Sequence, residues 1–364
     1  MPKPSARHDR PGNELAGLIH QALADGQDRD HRDHLGGSQI GRSCEREVWL
    51  SWRWARRPDF PGRIIRLFRR GQDEEEKVVD DLRAIGLEVH DTDPRTGRQF
   101  RVEHLAGHFG GSLDGAVKGI PGHEATWMVL EIKTSGAKPF SKLVKEGVEK
   151  AKPEHFAQMQ TYMRLTGMRM ALYLAVQKDD DELYTELVPF DKGKADAMLQ
   201  RAENLVKATE PPARIADSPA WYECKWCDHR DTCHGEEAPL VNCRTCVHAT
   251  PDLSGDHHGR WVCNKHTRPL THQDQEAGCD DHLYIPGLLA FADPVDADPD
   301  GAWVRYKSEQ GVQFLNGLAD KPIGENEEQP WSSRNIHALG AKVLTDDPLL
   351  ESIRRNFGPI DIEQ

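Results

Sequence analysis

The sequence lacks any long apolar run. No stretch of about 18 consecutive apolar residues occurs in its 364 residues, so we predict no membrane-spanning helix and no membrane partner. The first residues, MPKPSARHDRPGNELAG, lack the apolar segment that a secretory signal requires. We therefore expect an intracellular, cytoplasmic protein. Its length suggests one large domain or two to three smaller ones.

Net positive charge is also missing. The formal net charge is −13, which argues against a general nucleic-acid coat protein but allows a local basic site. Residues 41–71 depart from this average, because nine Arg and only three acids are interleaved with Trp and Phe. Arg mixed with aromatic residues suits phosphate contacts and base stacking. We predict nucleic-acid contacts from Arg53, Arg56, Arg57, Arg66, Arg69 and Arg70; the alternative is a solvated helix face.

The eight cysteines indicate metal binding or catalysis, because disulfides are rare in a reducing compartment. A first set combines an isolated upstream residue with a C-x2-C-x5-C cluster: Cys44, Cys224, Cys227 and Cys233. Spacing alone leaves two alternatives, an iron–sulfur cluster or zinc, since both are held by four thiolates. His229 and His234 lie nearby, and we interpret both as incidental.

The last four cysteines form a second set. A C-x2-C knuckle with two later cysteines is typical of a small structural zinc site, here Cys243, Cys246, Cys263 and Cys279. One ligand could instead be a histidine, namely His248, His266 or His282. The alternative is a group of free buried thiols.

The order of predicted elements indicates an α/β fold with a mixed sheet flanked by helices. We expect a mobile tail over residues 1–36, a main α/β domain over 37–236, a zinc-binding segment over 237–285 and a C-terminal module over 286–364. Apolar periodicity predicts helices near 44–55, 63–85, 154–166 and 191–208. Short strand patterns begin near residues 87, 99, 109, 127, 169 and 182.

The stretch VLEIKTS, residues 129–135, places two opposite charges in an apolar strand. Alternation puts Glu131 and Lys133 on one face of that strand, where desolvating them is costly. Asp114 precedes Gly115 in the preceding strand region, so adjacent strands can bring the two carboxylates around one divalent ion. With the Ile132 carbonyl they suit Mg²⁺ or Mn²⁺, and Lys133 can orient or deprotonate a water beside the metal. The alternative is a plain cross-strand salt bridge.

Asp114 followed by Glu131-Ile132-Lys133 resembles the D…(D/E)-x-K motif of the PD-(D/E)XK nuclease superfamily. This resemblance implies a restriction-endonuclease-like core, in which helices flank a mixed sheet. Glu75 in RRGQDEEEKVV resembles the first-helix glutamate of the Cas4/RecB-like branch, which helps hold the metal. HFAQMQTYM resembles the helix of that branch in which Gln158 and Tyr162 would position Lys133 and contact the scissile phosphate. No Pro-Asp dipeptide stands at this position of the motif, since Leu113 precedes Asp114.

The resemblance has further implications. One cysteine before the core and C-x2-C-x5-C after it resemble the arrangement of Cas4 and AddB-type nucleases, which implies a [4Fe–4S] cluster that ties the domain ends together. It also implies a DNA exonuclease acting on single-stranded ends in recombination, repair or phage DNA processing, with a recombination or helicase protein as partner. The alternatives are a catalytically silent DNA-binding scaffold and a zinc-ribbon regulator.

Overall fold

The computed structural model describes residues 13–255, 258–318 and 328–344. The start of the predicted tail and parts of the predicted C-terminal module therefore lie outside the described residues. The predicted fold class is confirmed, because the chain forms mixed sheets with flanking helices. No helix within the described ranges is long and apolar enough to cross a membrane.

The helices of the described residues, in chain order, are α1 Asn13–Asp25, α2 Glu45–Trp52, α3 Gly62–Ala84, α4 Ala137–Ala151, α5 Pro153–Thr166, α6 Lys192–Lys207, α7 Arg230–His234, α8 His272–Ala277 and α9 Ser333–Leu339. Local chemistry sets several of their ends. Pro153 occupies the first turn of α5, where its missing N–H costs nothing. Gly167 ends the same helix with a φ of 79°, a conformation that glycine adopts without strain.

The strands are mostly short. In chain order they are β1 Leu35–Gly36, β2 Glu88–His90, β3 Thr92–Asp93, β4 Arg98–Gln99, β5 Arg101–His104, β6 Phe109–Ser112, β7 Gly115–Lys118, β8 Met128–Ser135, β9 Met170–Gln177, β10 Leu183–Pro189, β11 Ala249–Pro251, β12 Trp261–Cys263, β13 Arg268–Leu270, β14 Asp293–Ala297, β15 Trp303–Lys307 and β16 Gln313–Gly317. The strand pattern predicted from residue 109 is thus two strands, with Asp114 between them.

The chain divides into two compact units, each made of several separate segments. The first unit comprises Met1–His31, Arg57–Val102 and Ser112–Asp196. The second comprises Arg32–Arg56, Glu103–Gly111 and Ala197–Gln364. The acids of the D…E-x-K motif belong to the first unit, and all eight cysteines belong to the second.

The first unit is built on a five-stranded sheet with the order β10-β9-β8-β7-β2. The central pair β8 and β9 is parallel, and the other pairs are antiparallel. Apolar residues cover both faces. Leu130 and Ile132 of β8 pack with Val78 and Leu82 of α3 on one face. The opposite face carries a cluster that contains Val129 of β8 and residues of α4 and α5.

Two helices of the first unit were not predicted. We assigned no element to α4, whose local signal is weakened by Pro139 near its start and by Gly147, which has a φ of 75°. The helix α1 lies inside the expected mobile tail. It contacts α3 so closely that a Cβ added to Gly62 would lie 1.9 Å from the carbonyl oxygen of His20. This contact between distant segments has no local sequence signal.

Candidate functional site

The motif acids and lysine converge beside the central strands of the first unit. Asp114 lies directly before β7, and Glu131 and Lys133 lie on the neighbouring strand β8. Asp114 Oδ2 accepts a hydrogen bond from the backbone N–H of Ile132 at 2.7 Å. The same oxygen lies 3.3 Å from Lys133 Nζ. The backbone of β8 therefore fixes the position of the carboxylate that the other strand supplies.

Glu131 is fully buried, with none of its surface exposed. Its Oε1 atom lies 2.5 Å from Lys133 Nζ, and its Oε2 atom accepts a hydrogen bond from Gln158 Nε2 at 2.9 Å. Burial raises the pKa of Glu131 to about 8, although the Lys133 ammonium opposes this shift. A carboxylate held in this way is costly to ionise unless a cation lies beside it.

Lys133 supplies one such cation. Burial alone would lower its pKa, but the Glu131 and Asp114 carboxylates outweigh that effect and raise the pKa above its ordinary value. The ammonium also donates a hydrogen bond to the Ile132 carbonyl oxygen at 2.9 Å. Lys133 is therefore protonated at neutral pH, which favours orienting a water or a phosphate over accepting a proton.

Glu75 lies on α3 and shares the electrostatic environment of these residues. Burial, followed by the nearby Asp114 carboxylate, raises the pKa of Glu75 to about 7, and Lys133 opposes the shift. The predicted oxygen donors are thus within electrostatic reach of one another: Glu75, Asp114, Glu131 and the Ile132 carbonyl. Oxygen ligands that carry excess negative charge in a partly buried site fit Mg²⁺ or Mn²⁺.

The helix α5 presents two of its residues to this site and one to the core. Gln158 contacts Glu131, as described above, rather than the predicted partner Lys133. Tyr162 is only 2% exposed and belongs to the apolar cluster beneath the sheet. His155 Nδ1 lies 2.8 Å from the hydroxyl of Tyr173, and burial together with Lys133 lowers the pKa of His155 to about 3.

Sequence reasoning assigned no role to His155 and Tyr173. Tyr173 lies directly opposite Glu131 in the parallel register of β8 and β9. His155 stands three residues before Gln158, so both point to the same face of α5. This spacing within HFAQMQTYM was the available signal for His155. Nothing local indicated Tyr173, because its position depends on strand pairing.

Arg53, predicted to contact nucleic acid, is instead part of the interior of the second unit and is only 3% exposed. Its guanidinium lies about 5 Å from the ring centroids of Trp49, Trp52 and Trp261. It donates a hydrogen bond to the Ala208 carbonyl at 2.9 Å. Because a phosphate has no access to this side chain, we remove Arg53 from the predicted interface. Its sequence neighbours gave no sign of this burial.

The other predicted arginines are exposed: Arg56, Arg57, Arg66, Arg69 and Arg70. Three of them lie in the first half of α3, which also carries Glu75. Since an α-helix rises about 1.5 Å per residue, Arg70 and Glu75 are separated by roughly 7.5 Å along the axis. Arg70 also donates a hydrogen bond to the Lys178 carbonyl at 2.6 Å. This helix therefore connects an exposed basic surface with the acidic site.

The first cysteine set lines one small cavity of the second unit. Cys44, Cys224, Cys227 and Cys233 all contribute to its wall, together with His229 and His234. Burial raises the pKa of Cys227 to about 12, and the nearby Glu47, Cys44 and Cys233 add to the shift. Four cysteines in the wall of one cavity fit a thiolate-bound metal group, which would deprotonate them.

The second cysteine set also gathers in the second unit. Burial raises the pKa of Cys243 to about 12, and Cys246, Cys279 and Cys263 add to the shift, in that order. The structure brings one of the three candidate histidines to this group, since His266 Nε2 lies 3.8 Å from Cys279 Sγ. Potential ligand atoms of His266, Cys279 and Asp281 lie within 4.8 Å of one another. The donor types fit zinc.

Comparison with known proteins extends this description. A search of curated proteins found no match. An alkaline exonuclease, LHK-Exo, from Laribacter hongkongensis is 17% identical over 52% of this chain and 90% of its own, with a TM-score of 0.33. A protein named SSO0001 is 14% identical over 60% of this chain and 96% of its own, with a TM-score of 0.35.

A phage related exonuclease from Haemophilus somnus 129PT is 18% identical over 38% of this chain and 68% of its own, with a TM-score of 0.26. The model of one family, the PD-(D/E)XK nuclease superfamily, matches residues 10–234, which is more than half of the chain. That range contains the converging acids, Lys133 and the first cysteine set. The chain belongs to the PD-(D/E)XK nuclease superfamily.

Proposed function

We propose that this protein is a Mg²⁺- or Mn²⁺-dependent DNA nuclease, and specifically an exonuclease that acts on single-stranded ends. The convergence of Asp114, Glu131 and Lys133 carries the proposal. A structural ion pair needs one carboxylate, whereas two carboxylates and a half-buried third acid, Glu75, exceed what Lys133 can neutralise. Perturbed carboxylates that cluster in this way are typical of catalytic sites.

Each residue has a distinct role in this proposal. Glu131, Asp114, Glu75 and the Ile132 carbonyl hold the divalent ion, which when bound lowers the pKa of a water and stabilises charge on a phosphate. Lys133 remains an ammonium, so it orients that water or donates to a phosphate oxygen. Gln158 holds Glu131 in the required rotamer through its 2.9 Å hydrogen bond. The exposed arginines of α3 contact the phosphates of the DNA strand.

The cysteine sets support the finer part of the proposal. We assign a [4Fe–4S] cluster to Cys44, Cys224, Cys227 and Cys233, as in the Cas4/RecB-like branch, because all four line one cavity. Its role is to link Cys44 to a segment about 180 residues later in the chain. Zinc is assigned to the second set, with His266 as an additional or substitute ligand. The protein would act with a recombination or helicase partner in DNA recombination, repair or phage DNA processing.

The test is cleavage of end-labelled single- and double-stranded DNA, with Mn²⁺ and with chelator. Wild-type protein should release short products from single-stranded ends only when metal is present. Lys133→Ala should lose activity on the order of 100-fold or more, since an interaction made in the transition state is removed. The matched control is Lys142→Ala, which removes an exposed lysine that pairs with Glu146.

Folding must be separated from chemistry in this experiment. Circular dichroism and DNA binding of Lys133→Ala should stay close to wild type, because burial raises the pKa of Glu131 to about 8 and its protonated carboxyl group can stay buried without a cation. Wild-type protein that binds DNA without Mn²⁺-dependent cleavage would favour the silent scaffold. Full activity of Lys133→Ala at saturating Mn²⁺ would contradict the catalytic role and would indicate that Asp114, Glu131 and Lys133 form an ordinary cross-strand salt bridge.

A further inference from the structure

A cavity of about 310 Å³ lies at the edge of the sheet in the first unit, and the roles proposed above do not use it. Phe100, Trp127 and Met168 are among its walls, and Leu113 and Ala116 lie where it approaches β7. We call it the β7 cavity. Its volume is at the lower end of the range for small-molecule sites, roughly 300–1,000 Å³. It is therefore large enough for one small, flat ligand.

The β7 cavity lies next to the catalytic acids. Leu113 directly precedes Asp114, and Ala116 follows it by two residues. Ala116 pairs with Val129, which stands two residues before Glu131 on the same face of β8. A strand rises about 3.3 Å per residue, so roughly 7 Å separates the cavity floor from the acids. A separation of this size places the cavity within a few nucleotides of the acids along a bound strand.

The lining of the cavity favours an aromatic ligand that carries negative charge. The rings of His90 and Trp127 lie 5.1 Å apart, and Lys118 Nζ lies 5.6 Å from the Trp127 centroid. Arg101 also lines the cavity. Glu88 offsets part of this charge, since its carboxylate lies 3.2 Å from His90 Nε2 and 4.0 Å from Lys118 Nζ. A half-buried indole with the Lys118 ammonium beside it, in a cavity that Arg101 also lines, suits a base that stacks and a phosphate close to it.

We propose that the β7 cavity binds one unpaired nucleobase of the DNA strand, close to the scissile phosphate and stacked on Trp127. The proposal rests on the nuclease function proposed above, because it places the base relative to the acids that cleave the strand. An aliphatic side chain of a partner protein would fill the same volume but would gain nothing from Arg101 and Lys118. The base fixes the register of the strand, so that the correct phosphate reaches Asp114 and Glu131.

The test compares the removal of the base with the removal of the indole. A single abasic site is moved one position at a time through a labelled single-stranded oligonucleotide, and kcat/KM is measured with Mn²⁺ for wild type and Trp127→Leu. With the abasic site at one particular position, kcat/KM of the wild-type protein should fall roughly 10-fold. On unmodified DNA, kcat/KM of Trp127→Leu should fall by the same factor. Trp127→Leu should lose nothing further on that abasic strand, and Trp127→Phe should recover most of the activity.

The control is Trp303→Leu, which removes another half-buried indole whose ring lies 5.8 Å from a guanidinium, that of Arg305. In this variant, kcat/KM should depend on the position of the abasic site in the same way as in wild type. Two results would overturn the base site while leaving the nuclease function intact. One is a kcat/KM of active wild-type enzyme that does not depend on the position of the abasic site. The other is a further loss of kcat/KM when Trp127→Leu acts on the abasic strand. Absence of cleavage in wild type would instead refute the nuclease function.

A binding measurement decides the question independently of cleavage. The fluorescent base 2-aminopurine is placed at successive positions of the oligonucleotide and titrated with Lys133→Ala protein. One position should show an emission change that disappears in the double variant with Trp127→Leu. If no position responds to the loss of Trp127, the cavity does not bind a base and the proposal is wrong.

Discussion

Burial of Glu131 predicts that the metal-free protein loses stability as the pH rises. Its pKa is raised from the ordinary 4.5 to about 8, so the folded protein keeps a proton that the unfolded chain has already released. Between these two pH values, unfolding releases the proton, and a higher pH therefore favours the unfolded state. Glu75, whose pKa is raised to about 7, acts in the same direction.

The expected size of this effect follows from the shift. The difference between 4.5 and about 8 corresponds to about 5 kcal/mol, at about 1.4 kcal/mol for each pKa unit. In Glu131→Gln, which keeps the acceptor for Gln158 but cannot ionise, the pH dependence should become weaker, and the part that remains comes from Glu75. Adding Mn²⁺ should raise the free energy of unfolding of the wild-type protein at alkaline pH, because the ionised carboxylates bind the ion.

The measurement is the free energy of unfolding from urea titrations with chelator, at several pH values between about 5 and 9. Glu149→Gln is the matched control, because it neutralises an exposed glutamate that pairs with Lys194. Wild-type stability that stays constant or increases over this interval would refute the reasoning. So would an unchanged slope in Glu131→Gln, because the proton release would then come from another group.

Three further predictions follow from the placement of other residues. Wild-type protein purified without oxygen should be brown and contain roughly four iron atoms per chain, and Cys44→Ser should lose both, as measured by absorbance and elemental analysis; full iron content in the variant would exclude Cys44 as a ligand. Arg66→Gln should reduce the slope of the logarithm of the DNA-binding constant against the logarithm of the salt concentration by about one unit. Arg53→Met should leave this slope unchanged and should lower the melting temperature, because Arg53 is buried. Gly62→Ala should destabilise the protein by about 1–3 kcal/mol in thermal unfolding, because its Cβ would overlap the His20 carbonyl; wild-type stability would contradict the close contact of α1 with α3.

Features set by neighbouring residues could be predicted from the sequence. Alternation within VLEIKTS predicted a strand, and β8 spans Met128–Ser135. Helical periodicity predicted a helix near 63–85, and α3 spans Gly62–Ala84. Gly167 was expected to close a helix and does so with a positive φ. Each of these signals depends on side chains within a few positions, so the printed sequence contains all the information that they require.

Prediction failed where the environment comes from distant parts of the chain. The helix α1 depends on its contact with α3, and Arg53 is buried by Trp261, more than 200 residues away. Composition alone placed this arginine on a nucleic-acid interface, because the local sequence does not distinguish an arginine that binds phosphate from one that packs against indole rings. Its burial is decided by packing, which no local pattern records.

The candidate site shows the same division. The sequence by itself determined the motif, namely an acid, a second acid and a lysine on strands that could pair, together with two spaced sets of cysteines. Only the tertiary structure decided that Glu131 is fully buried, that Gln158 donates to it and that His155 contacts Tyr173. The physical reason is that residue types and spacing specify which groups are available, whereas pKa values and hydrogen bonds depend on solvent exclusion and on strand register. Both are set by the folding of segments that are far apart in the chain.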